Sequence, residues 1–215
     1  LLLTANKLAD GAATANVTGA LTTELQTIAA HIGKVASVTH LSLAVANFSD
    51  TETEALLSKA DSANSTIDAT GASAAEMRSI VSYASHIGTL NNATLTLVDL
   101  ADGETNTLLT KATGATVQAA GATTTEVTAV LANLSAVAAG GISGITLTAI
   151  QAADAVTGVA EFAAGGIASI TLTTTQFKTL ADAGVLANGA ATVSGTASYS
   201  DIVGGEGDGA YDYTN

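Results

Sequence analysis

The stretches ITLTAIQ (residues 145–151) and ITLTTTQ (residues 170–176) decide the predicted fold. In each, the first three residues alternate apolar, polar and apolar, which is the pattern of a half-buried β-strand. A threonine follows, with a glutamine three positions later, which is the pattern of a capping box at the start of a helix. The sequence therefore predicts a repeated unit in which a helix follows a strand.

Similar units recur along the chain. Strand patterns also occur at residues 41–43 and 95–97, and turn glycines at Gly19, Gly71 and Gly121 lie 52 and 50 residues apart. Further capping boxes pair a hydroxyl residue with a glutamate: Ser49 with Glu52, Ser73 with Glu76, and Thr123 with Glu126. Together with Thr148/Gln151 and Thr173/Gln176 they predict a unit of about 25 residues. Helix-spaced apolar stripes follow the boxes, and Gly140-Gly141 and Gly165-Gly166 are predicted to end two of the helices.

The period predicts the architecture. Leucine-rich-type solenoids repeat every 20 to 29 residues or so. We therefore expect an α/β fold, a right-handed solenoid of strand–helix repeats with a parallel sheet on one face and helices on the other. Seven to eight units are predicted over residues 1–195, and residues 196–215 form a Gly/Asp-rich tail or the start of a following module.

Composition narrows the function classes. Of the 215 residues, 47% are hydrophobic but only 3% are aromatic, so the core must consist of small aliphatic side chains. Six Lys and Arg against 19 Asp and Glu give a net charge of −13, which disfavours nucleic acid and anionic membrane surfaces as partners. The apolar runs are too short to span a bilayer, so no membrane insertion is expected. Because the chain lacks an initiating Met and any signal-peptide pattern, it is predicted to be an internal fragment.

Several phrases resemble the Ala/Thr-rich repeats of giant bacterial surface proteins, many of which are exported adhesins of the repeats-in-toxin (RTX) class. They are Thr-Val-Ser-Gly-Thr-Ala at 192–197, Ile-Thr-Leu-Thr at 145–148 and 170–173, and Leu-Ala-Asp-Ala-Gly-Val-Leu at 180–186. The resemblance covers nearly the whole chain. It implies a secreted, cell-surface location and a structural or adhesive role.

The tail carries a second resemblance. Residues 204–211, GGEGDGAY, are similar to the calcium-binding nonapeptide of RTX proteins, in which glycine carbonyls and an aspartate bind calcium. The chain departs from that pattern because Gly209 stands where the ligating aspartate is expected, and there is one copy only. The resemblance implies a calcium site with Asp208, helped by Asp201 and Asp212. The alternative is a flexible acidic tail.

Catalytic patterns are not found in the sequence. Residues 141–144, GISG, are one residue too short for a nucleophile elbow, and there is no cysteine. Of the three histidines, His31, His40 and His86, the first and third stand in His-Ile-Gly at predicted helix ends, where a structural role is favoured over catalysis. The chain is therefore predicted not to be an enzyme.

An acidic cluster and a threonine-rich face remain as candidate binding features. Asp99, Asp102 and Glu104 could hold a cation, but a capped helix start is favoured. The polar positions of the strands are predicted to form a hydroxyl ladder, either a wet face with good β-propensity or a face that contacts a sheet, a carbohydrate or ice. The residues concerned are Thr66, Thr94, Thr96, Thr116, Thr146, Thr148, Thr171, Thr173 and Thr192.

Two functional hypotheses follow. The first is a non-enzymatic extracellular module that joins adjacent repeats of a longer chain, or self-associates end to end into a filament, sheath or surface layer through the apolar segment Leu1-Leu2-Leu3. The alternative is a ligand-binding module for ice, glycan or calcium. It would use the Gly/Asp tail or a face formed by Thr94, Thr96, Thr146, Thr148, Thr171 and Thr173.

Overall fold

The structure is a computed structural model that describes residues 10–61 and 64–193. The predicted contact at Leu1–Leu3 and the predicted boundary at residue 195 lie outside these residues. The described strands are β1 (Ala13–Asn16), β2 (Val35–Thr39), β3 (Ser42–Ala44), β4 (Thr66–Asp68), β5 (Thr89–Asn91), β6 (Thr94–Thr96), β7 (Ala112–Thr113), β8 (Ala115–Gln118), β9 (Val137–Ser143), β10 (Ile145–Thr146), β11 (Ile167–Leu172) and β12 (Ala191–Val193).

Seven α-helices alternate with these strands in the described part of the chain. They are α1 (Thr22–Ala30), α2 (Asp50–Leu57), α3 (Ala74–Ser82), α4 (Asp102–Leu109), α5 (Thr124–Ala132), α6 (Ala152–Thr157) and α7 (Thr174–Asp182). Short 3₁₀ turns follow several of the strands and helices. The chain is therefore α/β.

The predicted solenoid with one parallel sheet along a face is wrong. The described strands form four separate small sheets, in the orders β1–β2, β3–β4–β5–β7, β6–β8–β9 and β10–β11–β12. Pairing is parallel in each sheet whose register is resolved, for example Ser42 opposite Thr66 and Thr66 opposite Thr89. The chain thus has parallel strands, but they are divided among sheets of two to four strands.

Single residues in the left-handed conformation explain this division. His40 (φ 59°), Asn92 (φ 54°), Gly114 (φ 67°) and Gly144 (φ 70°) lie between β2 and β3, β5 and β6, β7 and β8, and β9 and β10. A left-handed residue breaks the extended backbone and turns the chain in a new direction. Each extended segment is therefore cut into two short strands, and the two halves join different sheets.

The residues also divide into two compact units. Of the described residues, those up to Thr94 together with Thr107–Ala115 form one unit, and Leu95–Asn106 together with those from Thr116 to Val193 form the other. The sheets β1–β2 and β3–β4–β5–β7 lie in the first unit, and β10–β11–β12 lies in the second.

The predicted helix starts are confirmed. Ser49, Ser73, Thr123 and Thr173 are the N-caps of α2, α3, α5 and α7, and Thr148 caps the 3₁₀ turn that leads into α6. In each case the residue three positions later reaches back to the N-cap amide, with Thr123 N to Glu126 Oε2 at 2.7 Å as one of the shortest. Such caps supply partners for helix N–H groups that have none within the helix.

The predicted glycine stops are wrong. Gly140 and Gly141 lie inside β9, and α5 has already ended at Ala132. Its C-cap is Asn133, whose side-chain Nδ2 donates to the Ala129 carbonyl at 2.8 Å and so satisfies a carbonyl at the helix end. Gly165 and Gly166 stand in the turn before β11, whereas α6 ends at Thr157 with Gly158 as its C-cap.

A longer sequence repeat underlies the alternation of helices. Residues 40–60 and 92–112 are offset by 52 positions and share Leu43/Leu95, Asp50/Asp102, Glu52/Glu104, Thr53/Thr105, Leu56/Leu108, Leu57/Leu109, Lys59/Lys111 and Ala60/Ala112. The three leucine pairs are at most 1% exposed. Burial of each leucine side chain contributes about 1.5–3 kcal/mol, so both copies are held by the same apolar contacts.

Candidate functional site

The strand face with the most regular polar surface belongs to the sheet β3–β4–β5–β7. Ser42, Thr66 and Thr89 pair directly across its first three strands. Parallel strands lie about 4.7–4.9 Å apart, so these hydroxyl residues form one row across the sheet. Leu43, Ile67 and Leu90 alternate with them and are buried, which orients the row away from the core. We call these three residues the hydroxyl row.

Among the described residues, the hydroxyl row has no hydrogen-bond partner in the protein. Ser42 and Thr89 are exposed and Thr66 is half-buried. Within the described residues, the side-chain hydroxyls of these three residues make no hydrogen bond to the protein. Each hydroxyl therefore has both a donor and an acceptor free for solvent or a ligand.

The predicted polar face included Thr66 but not Ser42 or Thr89. Ser42 stands in Leu41-Ser42-Leu43, so its alternation was a usable signal. Thr89 carried no such signal, because its place beside Thr66 depends on the register of β4 with β5.

A second pair of polar residues lies two positions further along β4 and β5. Asp68 of β4 pairs with Asn91 of β5. Its Oδ1 accepts from the hydroxyl of Thr70 at 2.7 Å, from the amide of Thr70 at 3.1 Å and from Nδ2 of Asn92 at 3.2 Å. These hydrogen bonds, with that of the Thr70 hydroxyl the strongest, hold the pKa of Asp68 below its ordinary value. Asp68 therefore stays charged at neutral pH and fixes the turn after β4.

The six threonines predicted as a binding face do not share one environment. Thr94 and Thr96 lie on β6, Thr146 on β10 and Thr171 on β11. Thr148 and Thr173 are N-caps, and their hydroxyls contact Gln151 and Gln176 at 3.0 Å. Four of the six are thus on strands and two are at helix starts.

The strand threonines also differ in their partners. Thr171 pairs with Thr192 of β12, whereas Thr146 pairs with Ser169 because the register of β10 with β11 shifts between Ile145 and Thr146. The Thr96 hydroxyl donates to Gln118 of β8 at 3.3 Å. Thr116 lies on β8 and is exposed. The predicted single ladder is therefore divided among several sheets.

Most carboxylates at the helix starts serve as structural acceptors. Asp50, the first residue of α2, accepts from the Ser73 hydroxyl at the start of α3 at 2.8 Å. Asp102, the first residue of α4, accepts in the same way from the Thr123 hydroxyl at the start of α5 at 2.7 Å. Each of these two contacts links consecutive helices. The caps were predictable from the sequence, but the links were not.

Asp102 and Glu104 lie in the first turn of α4, as favoured, whereas Asp99 ends the 3₁₀ turn that precedes it. The Glu104 carboxylate accepts from the Ala101 amide at 2.7 Å, although Ala101 offers no hydroxyl in return. No group of three or more His, Cys, Asp or Glu side chains in the described ranges is placed to hold a metal ion. The predicted calcium ligands Asp201, Asp208 and Asp212 lie outside the described residues.

The histidines occupy three different backbone positions. His31 is the C-cap of α1, and its Nδ1 lies 2.9 Å from the Thr27 carbonyl. His86 lies in a 3₁₀ turn after α3, with Nδ1 at 3.1 Å from the Leu57 carbonyl. His40 is exposed and holds the left-handed position between β2 and β3.

Comparison with protein-family models, with curated proteins and with solved structures found no match. The described residues include no helix that is both long and apolar enough to cross a membrane. What the described residues offer chemically is a set of exposed hydroxyls on short parallel sheets, together with carboxylates that accept hydrogen bonds at helix starts.

Proposed function

We propose that this chain is a non-enzymatic structural module of an extracellular bacterial surface protein. The observation that supports it is the repeated structural use of polar side chains. Asp50 with Ser73 and Asp102 with Thr123 make the same helix-to-helix link 52 and 50 residues apart. A chain that repeats the same contact is suited to forming an extended array with its neighbours.

The surface composition supports the same proposal. The net charge is −13, yet charged residues make up only 12% of the chain, so most of the polar surface is neutral hydroxyl and amide groups. Only two ion pairs, Lys34 with Asp10 and Lys178 with Asp182, occur among the described residues. Carboxylates at the helix starts instead accept from hydroxyls and backbone amides, which do not titrate in the ordinary pH range.

Surface labelling tests the location. Antibodies against the purified chain are applied to intact cells of the source bacterium and, in parallel, to permeabilised cells. Labelling of intact cells at the same level as permeabilised cells is expected. Labelling that needs permeabilisation overturns the proposal.

Light scattering then separates the two versions of the structural role. A filament, sheath or surface-layer subunit grows in mass as its concentration rises, and electron microscopy shows ordered assemblies. A spacer within a longer chain stays monomeric over the same range. Growth in mass with concentration would therefore identify a self-assembling subunit, and a constant monomer mass would identify a spacer.

The hydroxyl row favours a second candidate function, an adhesive contact with a glycan. Its three hydroxyls are free, exposed or half-exposed, and evenly spaced. Replacing Ser42, Thr66 and Thr89 together with lysine should abolish binding on a glycan array. A matched triple replacement of the exposed Ser82, Thr110 and Ser135 adds the same charge elsewhere and should leave binding unchanged. An equal loss of glycan binding in both variants would assign the effect to the added charge and would reject the hydroxyl row as the binding surface.

A further inference from the structure

Asn188 and Gly189 form the one Asn-Gly pair in the chain. Asparagine is a thermolabile residue, and its side-chain carbonyl is open to attack by the backbone nitrogen of the next residue. Glycine has no Cβ to hinder that approach. The pair is therefore the place in this sequence where such an attack meets the least steric hindrance.

The structure leaves both reacting groups accessible. Asn188 and Gly189 are exposed, in the turn that leads from α7 to β12. Among the described residues, neither the Asn188 side chain nor the Gly189 amide has a hydrogen-bond partner. The turn itself is closed by the Ala190 amide, which donates to the Ala187 carbonyl at 3.0 Å. The nucleophile and the electrophile are thus both free while the turn is formed.

We propose that Asn188 is a site of spontaneous deamidation, a covalent modification that the chain carries out on itself. The Gly189 nitrogen forms a bond to the side-chain carbonyl carbon of Asn188. The bond from that carbon to the amide nitrogen breaks, and ammonia leaves with the proton given up by Gly189. Water then opens the resulting succinimide at either carbonyl and yields aspartate or isoaspartate. The net change consumes one water, releases one ammonia and needs no oxidant or reductant.

The modification site lies in a turn whose two ends are hydrogen-bonded to β11. Ala187 donates its amide to the Ile167 carbonyl at 2.9 Å, and Ala190 accepts from the Ile170 amide at 2.9 Å, so both sides of the turn are held by β11. Isoaspartate inserts one carbon into the backbone between these two anchors, and either product adds a negative charge. The inserted carbon changes the length of the turn that sets the register of β12 with β11.

Peptide mapping tests the proposal. The purified chain is aged in warm, mildly alkaline buffer, and the fragment that follows Lys178 is analysed by mass spectrometry, with isoaspartyl methyltransferase reporting isoaspartate. Both aspartate and isoaspartate should accumulate at position 188, because the succinimide opens at either carbonyl. Isoaspartate identifies this route, since direct hydrolysis of the amide gives aspartate alone. The matched control is Asn47, which is also exposed but precedes Phe48.

Two variants sharpen the result. Asn188→Gln lengthens the side chain so that ring closure is unfavourable, and the isoaspartate signal at position 188 should disappear. Asn47→Gln should leave that signal unchanged. The proposal is overturned if Asn188 stays intact while the chain ages, or if it reacts no faster than Asn47.

Discussion

The Thr53 hydroxyl donates a hydrogen bond to Oε1 of Glu76 at 3.4 Å, and both residues are buried, at 0% and 5% exposure. Glu76 also caps α3 by accepting from the Ser73 amide at 2.7 Å. One carboxylate thus contacts two helices. A buried carboxylate is costly unless its oxygens have such partners.

Thr105 occupies the same position as Thr53 in the 52-residue repeat but is not satisfied. It is 0% exposed, and its hydroxyl is the one buried side-chain polar atom of the described residues without a hydrogen-bond partner. Thr53→Val should lower the free energy of unfolding by about 1 kcal/mol, because it removes a donor from a buried carboxylate. Thr105→Val should leave that free energy unchanged or raise it, because the hydroxyl gains nothing there. Urea unfolding of both variants checks this, and equal losses would contradict it.

The links between helices give a second prediction. Ser73→Ala and Thr123→Ala each remove an N-cap hydroxyl and its contact with Asp50 or Asp102. The expected loss is about 1 kcal/mol for the cap, with a smaller addition for the exposed contact. Ser82→Ala, at the exposed end of α3, is the control and should change stability little. Denaturant midpoints measure all three, and a control as damaging as the caps would refute the role of the links.

Local features of this fold were predictable, whereas the arrangement of strands was not. The capping boxes were found from sequence because the hydroxyl and the acid lie three residues apart and contact each other within one turn. The sheets were mispredicted because nothing in Thr39-His40-Leu41 distinguishes a continuing strand from one broken by a left-handed histidine. Asn92 is a similar case: asparagine is among the non-glycine residues that adopt this conformation most often, but that tendency alone does not locate a break in a strand.

The candidate site was predictable only in part for the same reason. The sequence identified Thr66 as a polar strand residue, but its neighbours Ser42 and Thr89 follow from the register of three strands. The contact of Asp50 with Ser73 likewise joins residues 23 positions apart. Such pairings depend on tertiary packing, which a local pattern does not encode.

The turn after β4 should make stability depend on pH. The Thr70 hydroxyl, the Thr70 amide and Asn92 hold the pKa of Asp68 below its ordinary value of 3.8. Because the folded-state pKa is the lower one, this contribution is fully present above pH 3.8 and is lost as the pH falls through the folded-state pKa. Asp68→Asn should remove it, so that the variant loses less stability than the wild type on acidification. Urea unfolding across the acid range measures the difference.

A second variant separates Asp68 from the other acids. Thr70→Ala keeps the carboxylate but removes the hydroxyl that contributes most to its lowered pKa. Its acid profile should lie between those of the wild type and Asp68→Asn. A Thr70→Ala profile identical to the wild type would assign the pH dependence to other groups.

The last prediction tests whether left-handed residues divide the sheets. Gly144 has φ 70° and separates β9 from β10, and a Cβ there would lie 3.2 Å from the Ala120 backbone nitrogen and 3.2 Å from its Cβ. Gly144→Ala should therefore cost at least about 1–2 kcal/mol, since a non-glycine residue is strained in this conformation and the contact adds to the strain. Gly103 is the matched control, because it lies inside α4 with nothing within 4 Å of its added Cβ. Gly103→Ala should stabilise the chain by about 0.5–1 kcal/mol through helix propensity. Opposite signs in thermal and urea unfolding are expected. If Gly144→Ala were neutral, β9 and β10 could continue as one extended strand, and the physical reason given for the separate sheets would be wrong.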